Sequence, residues 1–249
     1  MAADYSKLIL SGQRRLFFLT LAFMLVAQAA LFLQSRLQTA LDFAADDFKI
    51  AVILNNASAG EAGDFLSALG ALAGVQKARE VDPLQAAQEG GLNISLHALS
   101  RDLLPRFYEL SVNTRVMLNP KAWVQDNIAP MPFDAAVYYK EEQAKLALYI
   151  DGAARLVDIL LGASLFAFLA FGFFVEAYYS RIIPARERLG GVLAAVFAFA
   201  LAGAAVYLLT GPLNKIYPQY IYDMLCRRQA ALFAAALLAG WTLAKWKRF

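Results

Sequence analysis

Apolar and polar positions follow two different patterns along this chain. Four blocks are apolar almost without interruption, and one long stretch mixes apolar and polar residues at strand and helix spacing. The first block, Leu16 to Leu33, has only Thr20 and Gln28 as polar interruptions. It suits a membrane-crossing helix, since about 20 residues span the hydrocarbon core. Ala27-Gln28-Ala29 resembles a signal-peptide cleavage site, but the apolar run continues past it and helix formers follow without a turn. The block is therefore read as a retained helix. The second block, Leu156 to Val175, contains Asp158 as its only charge. Val192 to Leu209 is the third, and Gly211-Pro212 is expected to break it. Ala230 to Ala244 is the fourth and shortest.

The mixed stretch, residues 37–151, reads as a small α+β domain. Phe48 to Leu54 is rich in Ile and Val and ends at Asn55-Asn56, a strand followed by a turn. Gly60 to Leu72 has Phe65, Leu66, Leu69 and Leu72 at helical spacing, and Gly74 stands where a helix stop is expected. Val75 to Val81 is a second strand, Pro83 to Glu89 a short helix, and Leu92 to Leu104 an inserted apolar helical segment. Phe107 to Val112 is a third strand. Asn119-Pro120 opens another short helix through about Ile128, and Phe133 to Tyr139 is the fourth strand. Strand, helix, strand, insertion, strand, helix, strand is close to a split βαβ, ferredoxin-like unit. One sheet face would bury Ile50, Val52, Leu66, Leu69, Val75 and Val137.

The predicted fold class is thus an α-helical membrane protein with four transmembrane helices. A small ferredoxin-like α+β domain lies outside the cytoplasm between helices 1 and 2. The segments are a cytoplasmic amphipathic lead (1–15), helix 1 (16–36), the domain (37–151), helix 2 (152–179), a short cytoplasmic loop (180–190), helix 3 (191–210), an outer loop (211–228), helix 4 (229–245) and a cytoplasmic tail (246–249). A continuous helix from Lys140 to Tyr179 would be about 60 Å long. Gly152 is its expected hinge, because Gly costs about 1 kcal/mol within a helix.

Composition agrees with the block pattern. The 249 residues are 60% hydrophobic and 17% charged, with a mean hydropathy of +0.49, more apolar than soluble domains. A net charge of +3 gives no reason to expect nucleic acid. Lys7, Arg14 and Arg15, then Arg181, Arg186 and Arg188, then Lys245, Lys247 and Arg248 fall on one side of a four-span protein. Basic residues favour the cytoplasm, so both termini are expected inside, in a multi-pass cytoplasmic (inner) membrane protein. Lys215, Arg227 and Arg228 run against this trend and are partly balanced by Asp223. Tyr217, Tyr220 and Tyr222 suit an interfacial position.

Little in the chain suggests catalysis. Cys226 is the lone cysteine and His97 the lone histidine, so no intrachain disulfide, thiolate cluster or paired-histidine metal site can form. No Gly-rich phosphate loop ending in Lys-Ser or Lys-Thr is present. Any ATP chemistry must come from another subunit, and no cofactor is expected. Ser95, His97, Ser100 and Asp102 are too close in sequence for triad geometry. Asp158 and Glu176 lie near the two ends of the second apolar block, where structural or interfacial roles are expected, Glu176 reaching Ser180 or Arg181. Ala194, Ala198 and Ala202, and Ala231, Ala235 and Ala239, form small-residue stripes that let helices approach closely, or are simply part of Ala-rich spans. Ile94, Leu96, Leu99, Leu103 and Leu104 either complete the domain core or form an exposed patch for a partner protein.

Several short stretches, in order, resemble the FtsX-like cell-division permease family and more loosely the wider four-span permeases that include MacB and the lipoprotein-releasing transporters. A basic lead precedes span one, and Ile50-Ala51-Val52-Ile53-Leu54 is similar to the family's first ectodomain strand. Leu69 to Val81, with Gly74-Val75 in its middle, is similar to its helix–Gly-Val–strand step. Leu103-Leu104-Pro105-Arg106-Phe107-Tyr108-Glu109-Leu110 and Ala136-Val137-Tyr138-Tyr139 before a charged helix are also similar. The resemblance implies a non-enzymatic homodimeric membrane subunit in cell division. It would work with an FtsE-like cytosolic ATPase and an envelope peptidoglycan hydrolase or its activator. Ile94, Leu96, Leu99, Leu103 and Leu104 are then the expected envelope-partner surface. The family's cytoplasmic stretch after span two is longer than Ser180 to Gly190, and Arg181, Arg186, Glu187, Arg188 and Leu189 are the expected ATPase contacts. A transport or lipoprotein-release permease and an ATP-independent membrane scaffold are the alternatives.

Overall fold

A computed structural model of the chain describes residues 2–55, 58–82, 105–179, 184–216 and 225–246. It is mostly helical and divides into two compact units, Gln38–Gly152 and the combination of Met1–Leu37 with Ala153–Phe249. Both divisions fall inside helices. The first lies in α1 (Ala2–Asp47) and the second in α5 (Glu141–Tyr178).

The unit of residues 38–152 holds an antiparallel sheet of four strands: β1 (Lys49–Leu54), β2 (Val75–Val81), β3 (Arg106–Val112) and β4 (Ala135–Tyr139). Their order is β2-β3-β1-β4. β1 pairs with β3 from Lys49↔Ser111 to Leu54↔Arg106 and with β4 from Ile50↔Tyr139 to Leu54↔Ala135. Alternation along β1 turns Ile50, Val52 and Leu54 inward, all 1% exposed or less, which is the two-residue period of a strand with one buried face. Arg79 lies opposite Glu109 in the β2–β3 ladder and pairs with it at 2.9 Å, and Arg106 pairs diagonally with Glu80 at 3.0 Å. Such exposed pairs favour one register while adding little stability.

Helix α2 (Ala59–Ala71) starts at a reciprocal capping box. Ser58 accepts from the Glu61 backbone N–H, and the Glu61 carboxylate accepts from the Ser58 backbone N–H at 2.8 Å. Two otherwise unpaired donors of the first turn are thereby satisfied. After the helix, Gly74 takes φ +93, and a Cβ there would lie 2.5 Å from Val116 Cγ2. Only glycine meets both conditions without strain. Two short helices, α3 (Thr114–Leu118) and α4 (Pro120–Asn127), precede β4. Sequence periodicity pointed to the second of these and missed the first, whose Val116 and Met117 are buried in the core.

The core of this unit gathers Ile50, Val52, Leu54, Phe65, Leu69, Tyr108, Leu110 and Val112. Phe65 meets Tyr108 and Phe133 edge-on, with ring centres 5.4 and 4.9 Å away. Tyr108 donates its hydroxyl to the Ala62 carbonyl at 3.3 Å, and desolvation holds its phenol above the usual range. Leu66, Val75 and Val137 are only partly buried against this core. Leu41 and Ala45 of α1, and Ala144 and Ala147 of α5, complete it. Helix α1 therefore extends ten residues or so beyond the predicted end at 36, because Leu41 and Ala45 keep a helical stripe facing the sheet.

The other unit is a helix bundle. Residues Arg14–Asp47, Glu141–Tyr178 and Ala185–Pro212 are long and apolar enough to cross a membrane. Helix α6 runs from Ala185 to Ile216 and α7 from Leu225 to Leu243. The 19 residues of α7 are not among those three candidates. Gly211-Pro212 does not end α6 as expected, since Pro212 lies inside the helix. A proline at 212 leaves the Leu208 carbonyl without its helical donor, and apolar helices tolerate such a break. The predicted loop 180–190 is likewise shorter, because α6 begins at Ala185.

Side-chain size is inverted in this bundle relative to a water-soluble one. Ala195, Ala198, Ala202, Ala236 and Ala239 are fully buried, while Phe166, Phe197, Leu208 and Leu209 are 65–79% exposed. Small residues inside and large apolar residues outside suit a bilayer, where lipid tails solvate Leu and Phe and close helix approach supplies the attraction. Gly191 and Gly240 let α6 and α7 approach backbone to backbone: a Cβ on Gly240 would come within 2.7 Å of the Val192 Cα and 2.8 Å of the Gly191 carbonyl oxygen. Gly172 of α5 similarly leaves room for the Thr242 side chain.

Candidate functional site

Asp158 and Glu176, near the two ends of the second apolar block, are both ion-paired to residues of neighbouring elements. Asp158 of α5 meets Arg228 of α7 at 3.0 Å. At the other end of α5, one carboxylate oxygen of Glu176 accepts from Arg188 of α6 at 3.0 Å and is 2.6 Å from Lys245, just past α7. The ammonium of Lys245 also donates to the Glu176 backbone carbonyl at 3.1 Å. The guanidinium of Arg188 lies 4.9 Å from the ring centre of Trp241, a cation–π contact. The three charged side chains are only 10–28% exposed. This Glu176–Arg188–Lys245 triad ties together the ends of three helices that sequence alone leaves separate.

The triad changes the meaning of the basic residues around the 180–190 loop. Arg188 faces inward to Glu176, whereas Arg186 and Leu189 are exposed on the same short stretch of helix. At 100° per residue, positions 186 and 189 share a face and 188 points away from it. Glu187 lies in the first turn of α6, where a negative charge complements the helix dipole. Arg181 lies outside the described residues, as do Ile94, Leu96, Leu99, Leu103 and Leu104. Ser180 and Arg181, the expected partners of Glu176, lie outside the described residues, and its pairs with Arg188 and Lys245 were not anticipated. Sequence reasoning missed these because the positive-inside trend already explained Arg188 and Lys245.

Gly152 sits within the unbroken α5, and a Cβ there would meet nothing within 4 Å. On α1, Gln28 exchanges a reciprocal amide pair with Gln229 of α7, at 2.7 and 2.5 Å. Two carboxamides that satisfy each other remove the cost of placing either in an apolar bundle. Among the described residues, no three of His, Cys, Asp and Glu are grouped to hold a metal ion. No protein-family model matches the chain, and no curated protein matches it.

Proposed function

We propose that the chain is a non-enzymatic membrane subunit that passes a conformational change between a cytosolic ATPase and a domain outside the cytoplasm. In this reading it works in cell division, as an FtsX-like protein beside an FtsE-like ATPase, and acts on an envelope peptidoglycan hydrolase or its activator. It is an inner-membrane protein of four spans with both termini in the cytoplasm, α7 being the fourth span. The β2-β3-β1-β4 antiparallel order supports a split βαβ, ferredoxin-like identity for the sheet unit. Homodimerisation is part of the same proposal.

One observation carries the reading. Both divisions between the sheet unit and the bundle fall inside helices, and the far end of one of these, α5, is held to α6 and α7 by the buried triad. A force applied to the start of α6 is transferred through Arg188 to Glu176, and so to the helix that enters the sheet unit. Arg186 and Leu189, exposed beside Arg188, are the surface on which such a force would act.

The test is a photo-activatable crosslinker at Leu189 in the full chain, in its native membrane, with Phe197 as an outward-facing control. The expected result is a crosslink at Leu189 alone to a soluble protein that hydrolyses ATP. A transport permease would show the same crosslink together with substrate-stimulated hydrolysis. An ATP-independent scaffold would show no crosslink to an ATPase, and that result sinks the proposal.

A further inference from the structure

The bundle contains a cavity of about 330 Å³ between α1, α6 and the start of α7, at the small end of the range for ligand sites. Its walls are unlike at different points. Leu31, Phe199 and Val206 line it with apolar surface, while Gln34, Arg36 and Arg228 bring polar groups to it. Gln34 is 3% exposed, and among the described residues its amide oxygen has no hydrogen-bond partner. A buried acceptor left without a donor is unfavourable, so a donor from outside the protein would be favoured there. Arg36 lies over the Phe32 ring at 4.9 Å, and Arg228 is shared with Asp158. Among the described residues no Asp or Glu lines the cavity.

We infer that this cavity is a binding site for one anionic phospholipid whose headgroup carries a hydroxyl, such as a phosphatidylglycerol. The phosphate lies against Arg36 and Arg228, where guanidinium forks match phosphate oxygens. The headgroup hydroxyl donates to Gln34 Oε1, and the first part of one acyl chain runs along Leu31, Phe199 and Val206. The remainder of the lipid stays in the bilayer, which the exposed Leu208 and Leu209 of the same helix also face. Gly203 leaves space for that chain. A Cβ at this position would meet only the Gln28 amide nitrogen, at 3.9 Å, so a larger side chain fills the cavity without striking backbone.

The test uses the full chain in nanodiscs of equal phosphatidylglycerol and phosphatidylcholine, extracted into detergent, with retained lipid counted by native mass spectrometry. Wild type should keep one phosphatidylglycerol in preference to phosphatidylcholine. Gly203→Leu should lose it, whereas Gly162→Leu, where a Cβ meets nothing within 4 Å, should keep it. Gln34→Leu, close to isosteric, should lower retention of phosphatidylglycerol about tenfold and, in matched nanodiscs where phosphatidylmethanol replaces phosphatidylglycerol and no headgroup hydroxyl is present, leave retention of the anionic lipid unchanged. Equal retention of both lipids by wild type, or full retention by Gly203→Leu, overturns the proposal. Displacement of the lipid by soluble glycerol phosphate also overturns it, by assigning the site to a free phosphate ester. Gln34→Leu is the readout that stands if Gly203→Leu does not fold.

Discussion

The Glu176 triad makes a prediction with a sign and a size. In Glu176→Gln the carboxylate that Arg188 approaches at 3.0 Å and Lys245 at 2.6 Å becomes neutral, leaving two cations facing each other. Breaking a buried pair by removing one partner costs about 3–5 kcal/mol. The triad keeps 10–28% of its side-chain surface exposed, which favours the lower figure, about 3 kcal/mol. For a chain of 249 residues that corresponds to a fall of about 6–12 °C in Tm. Trp241, against Arg188, and Trp246, edge-on to Phe171 at 5.4 Å, report directly on the site, so tryptophan fluorescence during heating of the detergent-solubilised protein is a suitable assay. Adding Lys245→Met to Glu176→Gln removes one of the two stranded cations. The double variant should then be more stable than the sum of the single effects implies, by about 0.5–3 kcal/mol. Added salt should change the wild-type Tm little, because buried pairs are weakly screened. An unchanged Tm in Glu176→Gln, or single effects that simply add, would show that the three charges act as separate solvated groups.

Other positions carry smaller tests. Gly74→Ala should cost about 2 kcal/mol or more, since it combines a left-handed backbone with a contact against Val116; Gly63→Ala, with open space around it, should gain about 0.5–1 kcal/mol, and thermal unfolding separates the two. Gly152→Ala should stabilise α5 by about 1 kcal/mol and preserve the proposed transmission, whereas Gly152→Pro should cost about 3 kcal/mol and abolish it; equal activity of the proline variant would reduce α5 to a tether. The Glu61 carboxyl is held below its usual value by the Ser58 backbone N–H and then by the Ser58 hydroxyl. Its contribution is therefore full above the unfolded-state pKa, near 4.5, and is lost as pH falls through the lower folded-state value. Glu61→Gln should flatten that part of an acid titration of stability, and an identical titration would remove the carboxylate from the account. Gly240→Ala should force α6 and α7 apart at a cost of about 1–3 kcal/mol, measured as a lower Tm in detergent.

Local chemistry in the sequence was most legible where one feature dominates. The Val- and Ile-rich β1, the Val75–Val81 strand and the helix before Gly74 all lie where spacing and turn residues put them. Helix α1 was harder, because nothing in Gln38–Asp47 signals a stop and only the sheet gives Leu41 and Ala45 a face to cover. Pro212 misled because the breaker rule comes from helices in water, whereas apolar helices accommodate proline more readily. The triad was hidden by its own plausibility. Arg188 and Lys245 each have a sufficient explanation at the membrane surface, and only three-dimensional proximity identifies Glu176 as their shared counter-ion. Arg186 and Arg188 looked equivalent in one dimension and are separated only by the turn of the helix.

The glycine contact between α6 and α7 bears on how the protein is made. Large hydrophobic side chains let a helix enter a bilayer by itself, but α7 has spent many of its positions on Ala and Gly. Its close approach to α6 needs Gly191 and Gly240 face to face. Helix α6 comes first in the chain and is apolar enough to insert unaided. In the proposed four-span arrangement the two should therefore leave the translocon as a hairpin, with α6 waiting in place as the template on which α7 settles. Damage at Gly191 would then be seen first during synthesis, as α7 left accessible on the wrong side of the membrane, even where the finished protein tolerates the change.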